Sequence, residues 1–588
     1  MKINYRKVSK YSLISLGVLV LIAYFYVVLP LWGIPFNAQR HGLPPLTPAW
    51  ALECWLWEDD VNTSAYVDEL LEGYAKHDIP VRTILIDSPW SLRYNDYEVD
   101  EDRYPDPETW FKGLQDKGYR VVLWTTSMVN NFSKDTKEKE GNAWFEEAAK
   151  KGFLIGEPIK WWKGKGSFID YTHPEAMQWW QAQQQKCFDW GIDGWKLDGT
   201  ATLFHSTLGP LPFLYQKANN GWLSTRNYMD LYYRKEYEHG LRQNPEFVTL
   251  SRAMDRGFHP EGFAPIDAAP VTWVGDQEHK WLSKALLEEK DAEKIDIALK
   301  GVQGFESAIK SILKSAKAGY NIIGSDVAGF SGKTIPPNLY IRWAQFSTFC
   351  GLFMNGGHGE RALWKRTPKE LEIIRNYSWW HTELSPYIYS YVVQGHRGER
   401  VLQQPVEGKY HYRFGKELLI APIYKDELEN EIHLPPGQWR YWFDDTQLLE
   451  GKQVFKKTFP LEEYPVFIRE GAIIPMDIKR SYTERGDSTS LGFTTWLIYP
   501  GQPNACSIYT TDNQEETHLK TEVNAKELTI TLTGKKMPHI LRIHLGQSPA
   551  AVQLDGQTIS DYDYDQEKQK LVIKTSSYQT GVYKISWL

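Results

Sequence analysis

Short, mainly apolar runs of five to nine residues recur along the central part of the chain, and most of them end in a polar residue. Runs of this length and composition predict buried β-strands. We expect eight strands, at residues 49–57, 82–87, 120–125, 194–198, 247–252, 271–276, 321–326 and 349–357.

Amphipathic stretches separate several of these runs and predict helices at residues 63–78, 107–117, 174–190 and 224–243. Strands that alternate with helices indicate βαβ units and a parallel sheet. Eight such strands predict an α/β fold, a (β/α)8 TIM barrel with insertions, over residues 49–394. The segment between the fifth and sixth strands is short and rich in Pro and Gly, so we expect no full helix there.

The pattern changes after about residue 395, where helical periodicity gives way to short strand-like runs with Pro-Gly and Gly-Lys turns between them. Such a pattern is typical of small antiparallel domains. We predict two small all-β sandwich domains, at residues 395–480 and 481–588.

The N-terminal segment combines four basic residues, Lys2, Arg6, Lys7 and Lys10, with an apolar run at residues 13–32. About 20 apolar residues are needed to cross a ~30 Å hydrocarbon core. We therefore predict one transmembrane anchor at residues 12–34, a cytoplasmic tail at 1–11 and a linker at 35–48, with the rest exported to a periplasmic, extracellular or lumenal space. The alternative is a cleaved signal peptide and a secreted protein.

The composition of the chain argues against several kinds of binding partner and cofactor. The 588 residues carry a net charge of -7 and no basic stripe, which argues against nucleic acid. The four cysteines lie far apart, and neither metal-binding spacing nor a dinucleotide-binding fingerprint occurs, so we expect no metal and no cofactor. Aromatic residues make up 14% of the chain, and their flat rings suit both a packed core and stacking on sugars.

Polar residues at the ends of the predicted strands are the strongest functional signal. In a TIM barrel the carboxyl ends of all strands meet at one face, where active sites are built. A single Asp at such a place could instead cap a helix, but a whole set favours a site. The set consists of Asp87, Thr125, Asp198, Arg252, Asp276 and Asp326, with His358 after the eighth strand.

Two of these carboxylates suggest the chemistry. Strand alternation places Lys196 and Asp198 on one face, and an ammonium beside a carboxylate keeps that carboxylate ionised, as a nucleophile requires. Asp276 ends a run two strands further along. A pair of carboxylates that flanks one bond is the usual machinery of glycosidases, and the distance between them separates retaining from inverting enzymes.

Several segments, taken in order, resemble glycoside hydrolase family 31, the retaining α-glycosidases. The clearest are Trp-Lys-Leu-Asp at 195–198 and Trp-Val-Gly-Asp at 273–276, which match the nucleophile and acid/base motifs of that family. Further matching segments lie at residues 86–90, 102–105, 170–176, 324–330, 340–346, 387–389 and 465–471.

The resemblance implies an exo-acting enzyme that removes terminal non-reducing α-linked sugars from an oligosaccharide or glycoside. By it, Asp198 attacks the anomeric carbon, and Asp276 first protonates the departing oxygen and then activates water. It also implies a substrate-binding set in which the first five residues hold sugar hydroxyls and the last two wall the pocket: Asp87, Lys196, Arg252, Asp326, His358, Trp124 and Trp273.

The chain departs from the family pattern in three ways. Gly199-Thr-Ala201 follows the nucleophile where many members have a glutamate three residues on, and Gly356 stands where the family has an arginine two residues before its late histidine. Most members also have a β-sandwich before the barrel, whereas here about fifteen residues join the apolar run to the barrel. We expect that domain to be absent and its share of the pocket wall to come from elsewhere.

The Lys-x-Asp form of the nucleophile motif is similar to that of members acting on α-xylosides and α-galactosides. We place α-galactosides first, then α-glucosides and α-xylosides. Two alternatives stay open. A transglycosylase uses the same carboxylates and would be favoured by an aromatic acceptor site, and a non-catalytic carbohydrate-binding protein would be favoured if Asp198 or Asp276 were missing.

Overall fold

A computed structural model describes residues 5–25, 42–199, 215–254, 263–281, 304–332, 334–357, 359–575 and 580–587. Its helices are α1 Tyr5–Ala23, α2 Ser64–Lys76, α3 Pro107–Asp116, α4 Asn142–Lys150, α5 Pro174–Asp189, α6 Thr225–Gln243, α7 Phe305–Ala318, α8 Pro337–Thr348, α9 Pro368–Glu383 and α10 Ser385–His396. The strands before α10 are β1 Trp55–Glu58, β2 Thr83–Ile86, β3 Arg120–Thr125, β4 Met128–Ser133, β5 Leu154–Trp161, β6 Gly164–Ile169, β7 Gly194–Leu197, β8 Tyr215–Ala218, β9 Gly221–Ser224, β10 Val248–Arg252, β11 Val271–Trp273, β12 Ile323–Gly324 and β13 Met354–Gly356.

Eight of these strands form one parallel sheet in the order β12-β11-β10-β7-β3-β2-β1-β13: from β1 to β12 the strands follow chain order, and the last strand, β13, pairs with the first, β1. A parallel bridge between Asp326 and Met354 brings the two edges of the sheet together. This is the predicted TIM barrel, with each observed strand inside one predicted run except β1, which extends to Glu58.

Two expectations for the barrel need correction. Residues 49–52, predicted as the start of the first strand, form a 3₁₀ helix, and the Trp55 indole donates a hydrogen bond to the Ala51 carbonyl across that turn. The eighth strand is also shorter than predicted and covers only Met354–Gly356. Both predicted runs were too long because the apolar residues continue beyond the strand. Apolar residues can be buried without forming a strand.

All four amphipathic stretches form helices, as predicted, and two of the predicted first residues are side-chain caps. Thr63 accepts a hydrogen bond from the Tyr66 backbone N–H, and Ser224 accepts one from that of Asn227, so each predicted first residue is the cap of its helix.

Two excursions from the barrel were not predicted. Strands β4, β6 and β5 form a three-stranded antiparallel sheet between β3 and α5, and β8 pairs with β9 in a hairpin before α6. Both are rich in Lys, Gly and Asn, which masks the alternating pattern of a strand.

The C-terminal part is all-β, as predicted. Its strands are β14 Gln403–Pro405, β15 Tyr412–Phe414, β16 Leu418–Ile420, β17 Glu429–Leu434, β18 Gln438–Tyr441, β19 Asp444–Glu450, β20 Gln453–Thr458, β21 Val466–Arg469, β22 Ile473–Asp477, β23 Thr494–Ile498, β24 Asn504–Tyr509, β25 Glu515–Val523, β26 Glu527–Gly534, β27 His539–His544, β28 Ala551–Leu554, β29 Gln557–Thr558, β30 Tyr562–Asp565, β31 Lys570–Lys574 and β32 Gly581–Ser586.

These strands form two groups of sheets. The first group contains a six-stranded sheet, β14-β15-β16-β21-β18-β19, and the pair β17-β20. The second contains a five-stranded sheet, β22-β23-β27-β31-β30, and a six-stranded sheet, β24-β25-β26-β32-β28-β29, which share a buried core of their own. The predicted boundary at 480/481 stays a prediction; strand β22 (Ile473–Asp477) pairs with β23 in the second group.

The core of the barrel is continuous with that of the first β-group. Arg342 of α8 is buried between them and donates hydrogen bonds to the carbonyls of Glu463 at 2.6 Å and Phe459 at 2.7 Å. Barrel and first β-group are thus joined by both apolar packing and a buried cation.

In the N-terminal segment, α1 covers Tyr5–Ala23, and residues 26–34 of the predicted anchor lie outside the described part of the chain. Within the described residues, no helix combines the length and apolar character needed to cross a bilayer.

Candidate active site

A cavity of about 440 Å³ opens at the carboxyl ends of the barrel strands. The sequence predicted a site at this face. Its lining residues are Asp59, Asp87, Ser88, Trp124, Trp162, Lys163, Lys196, Asp198, Gly199, Arg252, Phe263, Asp276 and Phe330.

Asp198 directly follows β7, and the alternation of that strand decides its direction. Trp195 packs outward against Phe188 of α5, with ring centroids 5.6 Å apart, whereas Lys196 and Asp198 point to the cavity. The predicted arrangement of this motif is therefore the one observed.

Three residues donate hydrogen bonds to the carboxylate of Asp198. Its Oδ1 accepts from Nη2 of Arg252 at 2.8 Å and from the Gly199 backbone N–H at 2.7 Å, and its Oδ2 accepts from the Trp124 indole at 3.2 Å. Burial alone would raise the pKa of Asp198, but Arg252 and Lys196 outweigh it and lower the pKa to about 2. Asp198 is thus held ionised, as a nucleophile must be.

Asp276 lies across Arg252 from Asp198. The same Nη2 donates to Oδ2 of Asp276 at 3.4 Å, and the Asp276 side chain is 37% exposed where that of Asp198 is 15% exposed. Because both carboxylates contact one nitrogen, their nearest oxygens are at most about 6 Å apart, which is closer than the roughly 6.5–9.5 Å of inverting glycosidases.

Lys196 and Asp87 form an ion pair at the inner end of the cavity. Nζ lies 2.6 Å from Oδ2, and the other Asp87 oxygen accepts from the Ser88 backbone N–H at 2.8 Å. Burial lowers the pKa of Lys196, but the carboxylates of Asp87 and Asp198 outweigh it and raise that pKa above its ordinary value. The lysine therefore stays charged inside the barrel.

Trp273 does not wall the cavity as predicted. It is fully buried beneath it, with the Arg252 guanidinium 4.7 Å and the Lys196 ammonium 5.2 Å from its ring centroid. Its electron-rich face supports the two cations that act on Asp198. Trp124, the other predicted wall residue, does line the cavity.

Asp326 lies just behind the cavity surface, two residues after β12. Burial raises the pKa of its carboxyl to about 7, with Lys196 lowering it and Asp276 raising it. His358, predicted to hold a sugar hydroxyl, lies outside the described residues.

Several residues that line the cavity were not predicted from the sequence. Asp59 follows β1 directly, in the position that made the other strand-end aspartates candidates, so the same signal could have found it. Phe330 lies in a family-like segment and stacks on Trp57 with ring centroids 5.3 Å apart. Trp162 and Lys163 come from an excursion that no pattern predicted.

Trp162 and Lys163 form the turn between β5 and β6, which reaches the mouth of the cavity. The Trp162 ring lies over Gly199, and a Cβ on that glycine would lie 2.9 Å from it. Gly199 also has a φ of +83°, so glycine is needed there both for space and for backbone conformation.

The arrangement can therefore stabilise one permanently ionised carboxylate beside a second, more exposed one, in a cavity large enough for one or two sugar rings. Trp124, Trp162 and Phe330 offer aromatic walls, and Lys196, Asp87 and Asp59 offer polar groups for hydroxyls.

Two family models match this chain. The family model described as "Glycosyl hydrolases family 31 TIM-barrel domain" matches residues 44–287 and 296–391, and the model "Glycosyl hydrolase family 31 C-terminal domain" matches residues 398–474. The first alone covers more than half of the chain.

Among curated relatives, an alpha-xylosidase of Emericella nidulans is 25% identical over 470 residues, covering 74% of this chain and 54% of that protein. An isomaltosyltransferase of Sporosarcina globispora is 21% identical, covering 89% of this chain and 50% of its own length. The chain thus spans about half the length of the curated relatives it matches.

A dextranase of glycoside hydrolase family 31 from Flavobacterium johnsoniae, solved in complex with isomaltotriose, is similar in fold. It is 20% identical, with a TM-score of 0.78, and the match covers 93% of this chain and 72% of that one. The structural likeness shows the same fold, and the family model that covers more than half of the chain establishes that it belongs to glycoside hydrolase family 31.

Proposed function

We propose that this protein is a retaining, exo-acting α-glycosidase that works by double displacement. The proposal is supported by one observation: Asp198 and Asp276 contact the same Arg252 nitrogen, at 2.8 and 3.4 Å, which keeps their nearest oxygens within about 6 Å, below the spacing of inverting enzymes.

In the first step Asp198 attacks the anomeric carbon while Asp276 donates a proton to the departing oxygen. The pKa of about 2 keeps Asp198 ionised at any ordinary working pH. In the second step Asp276, now a carboxylate, removes a proton from water, which attacks the anomeric carbon and releases Asp198. Its greater exposure suits contact with both the leaving group and water.

The sugar is proposed to be an α-linked glucose or xylose at a non-reducing end. The cavity volume supports recognition of one or two rings, and the similar alpha-xylosidase and isomaltosyltransferase support these two sugars ahead of galactose. This order differs from that of the sequence analysis, which placed α-galactosides first.

Transglycosylation is the second candidate, and Trp162 is the observation that favours it. The indole is 40% exposed at the cavity mouth, where an acceptor sugar could stack on it and exclude water. A similar protein is named an isomaltosyltransferase. The two functions share Asp198 and Asp276 and differ in what attacks the covalent intermediate.

The test is turnover of aryl α-glucoside, α-xyloside, α-galactoside and α-N-acetylgalactosaminide by the purified full chain, with Asp198→Asn as the control. Release of the aryl group from one sugar, abolished in the control, would establish the reaction class and the sugar. Free sugar as the product indicates hydrolysis, and longer oligosaccharides indicate transfer. No turnover of any substrate, with or without added acceptor sugars, would count against the proposal.

We further propose that the N-terminal segment anchors the protein to a membrane with the catalytic part exported. The support is a helix with apolar side chains exposed around it, including Leu13 at 66%, Leu16 at 59% and Leu19 at 62%, after a basic start. The full chain should stay in the membrane pellet after alkaline extraction, and a chain from Gly42 onward should not. Equal partition of the two would contradict the anchor.

A further inference from the structure

The last residue of β13, Gly356, has no room for a side chain. A Cβ there would lie 2.3 Å from Cδ and 2.6 Å from Nε of Arg361, and 2.8 Å from Cζ2 of Trp57. Its backbone is not in the left-handed region, so space and not conformation demands the glycine. The space beside β13 belongs to Arg361, five residues further along the chain.

Arg361 is almost fully buried, and its guanidinium carbon lies 4.9 Å from the ring centroid of Trp57. Its Nη2 donates to the Phe330 carbonyl at 3.0 Å and also to the Gly329 carbonyl. Arg361 thus connects Trp57 of β1 to the loop that follows β12.

That loop, residues 326–330, begins at Asp326 and ends at Phe330, a wall of the active-site cavity. Ala328 and Gly329 have φ values of +67° and +89°, so the loop turns sharply and needs external support. On one side the Gln277 carbonyl accepts from the Phe330 backbone N–H at 2.7 Å. Arg361 provides the support on the other side.

His279 completes the support. Its Nδ1 donates to the Ala328 carbonyl at 2.7 Å, which leaves Nε2 to accept from Arg361 at 3.5 Å. Gln277 and His279 both follow the acid/base candidate Asp276 closely in sequence. The loop therefore links the Asp276 side of the cavity to the β13 side through hydrogen bonds to its backbone.

We propose that Arg361 is a positioning residue of this active site, which fixes Asp326 and Phe330 by clamping their loop onto Trp57, and that residue 356 is a glycine because this guanidinium fills its side-chain space. The inference rests on the proposed glycosidase function. It also accounts for Gly356, where the family resemblance leads one to expect an arginine: the cation comes from residue 361.

Charge links Arg361 to the cavity as well. The charged groups that act on Asp326 are Lys196 on β7, Asp276 after β11, Asp59 after β1 and Arg361 after β13. Arg361 lowers the pKa of Asp326, so its removal should raise that pKa. Because titration of Asp326 changes the charge in the cavity, the part of the kcat/KM profile near pH 7 should then move to higher pH, separately from the acidic limb set by Asp198.

The kinetic test compares Arg361→Gln and Arg361→Lys with Arg366→Gln. Arg366 is a matched control, since its side chain is also largely buried and its guanidinium carbon lies 5.2 Å from the ring centroid of Tyr340. It donates hydrogen bonds to Glu370 and to the Ile335 carbonyl, however, and does not contact the loop. We expect Arg361→Gln to lose kcat/KM on the order of tenfold to a hundredfold, through displaced binding groups. Arg361→Lys should recover part of the loss, and only the Arg361→Gln profile should shift with pH.

Two results would overturn the proposal: wild-type kcat/KM and pH profile in Arg361→Gln, or equal kinetic losses in Arg361→Gln and Arg366→Gln. If Arg361→Gln does not fold, kcat/KM of Arg361→Lys decides instead, and a value equal to that of the wild type would overturn the proposal.

A stability test separates this inference from the proposed function, because it needs no substrate. Gly356→Ala is introduced into the wild type and into Arg361→Ala, and the Tm of all four proteins is measured. We expect the alanine to lower Tm clearly in the wild type and less in Arg361→Ala, where the space is free apart from Trp57. If Gly356→Ala lowers Tm equally in both backgrounds, Arg361 does not fill the space beside residue 356, even if the enzyme is active. If the two decreases in Tm differ but the protein is inactive, only the glycosidase function is contradicted.

Discussion

The ammonium of Lys196 lies 2.6 Å from Oδ2 of Asp87, and both side chains are almost completely removed from solvent. A buried pair of this kind adds little net stability compared with an apolar pair, but loss of one partner leaves an uncompensated charge. Its role is electrostatic: it places a permanent positive charge behind Asp198, the proposed nucleophile.

Replacement of Lys196 with Met should therefore destabilise the protein strongly. We expect the free energy of unfolding to fall by about 3–5 kcal/mol, since Asp87 is left buried without its cation. Urea denaturation measures this. Lys186→Met is the control, because Lys186 pairs with Glu98 at 2.7 Å on the exposed surface, where a pair is worth about 0–1 kcal/mol. Similar losses in both variants would contradict the buried-pair interpretation.

Trp124→Phe should shift the pH dependence of catalysis. The Trp124 indole donates to Oδ2 of Asp198 and favours the ionised carboxylate, so its loss should raise the pKa of Asp198. The acidic limb of kcat/KM then moves to higher pH, measurable between about pH 2 and 6. Trp161→Phe is the control, since that indole bonds Asn130 away from Asp198. If the acidic limb of kcat/KM does not move, this hydrogen bond does not determine the pKa of Asp198.

Asp198→Ala should reduce turnover by more than a thousandfold, because no other described carboxylate replaces it as a nucleophile in this geometry. Added azide should restore cleavage of an activated aryl glycoside and yield a β-glycosyl azide, since the small anion attacks from the side vacated by the carboxylate. Product anomericity is read by NMR. An α-azide would assign Asp198 to the acid/base role instead.

Asp276→Ala should affect substrates according to their leaving group. Activated aryl glycosides need little protonation and should keep far more of their kcat than disaccharides, whose alkoxide must be protonated as it departs. With azide the product should keep the α configuration, because Asp198 still forms the covalent intermediate. Equal losses on both substrate types would disqualify Asp276 as the acid.

Asp326→Asn should change stability in a pH-dependent way. The folded-state pKa of about 7 lies above the ordinary value of 3.8, so the wild type loses stability as pH rises from about 4 to about 7 and loses no more from this group above that. The variant lacks that loss, and its free energy of unfolding relative to wild type should rise by a few kcal/mol between pH 4 and pH 8. The same difference at both pH values would mean that Asp326 is not held protonated by burial.

The barrel was predictable from sequence because its strands are buried on both sides and therefore mostly apolar. The same logic located Asp87, Asp198, Arg252 and Asp276, since a polar residue at the end of a buried strand has few structural reasons to be there. Strand alternation also fixed the opposite directions of Trp195 and Lys196.

The rest depended on tertiary contacts that leave no local pattern. The turn at Trp162 and Lys163 lies in a polar hairpin whose strands are only partly buried, so periodicity could not reveal that it reaches the cavity. The family resemblance implied that Trp273 walls the pocket, whereas packing places its ring beneath Arg252. Likewise, only the three-dimensional structure shows that the Arg361 side chain occupies the place where a side chain on residue 356 would lie.

The buried guanidinium of Arg342 has a consequence for how such a gene can be rearranged. A fragment that stopped at the end of α10 would remove the carbonyls of Phe459 and Glu463 that accept its hydrogen bonds, and would strip apolar cover from the same core. Recombination that preserves folding must therefore transfer the barrel and the first β-group as one cassette. The second β-group has a core of its own, but it also places Ile474, Met476 and Leu497 in the shared core, so any replacement for it must keep those contacts.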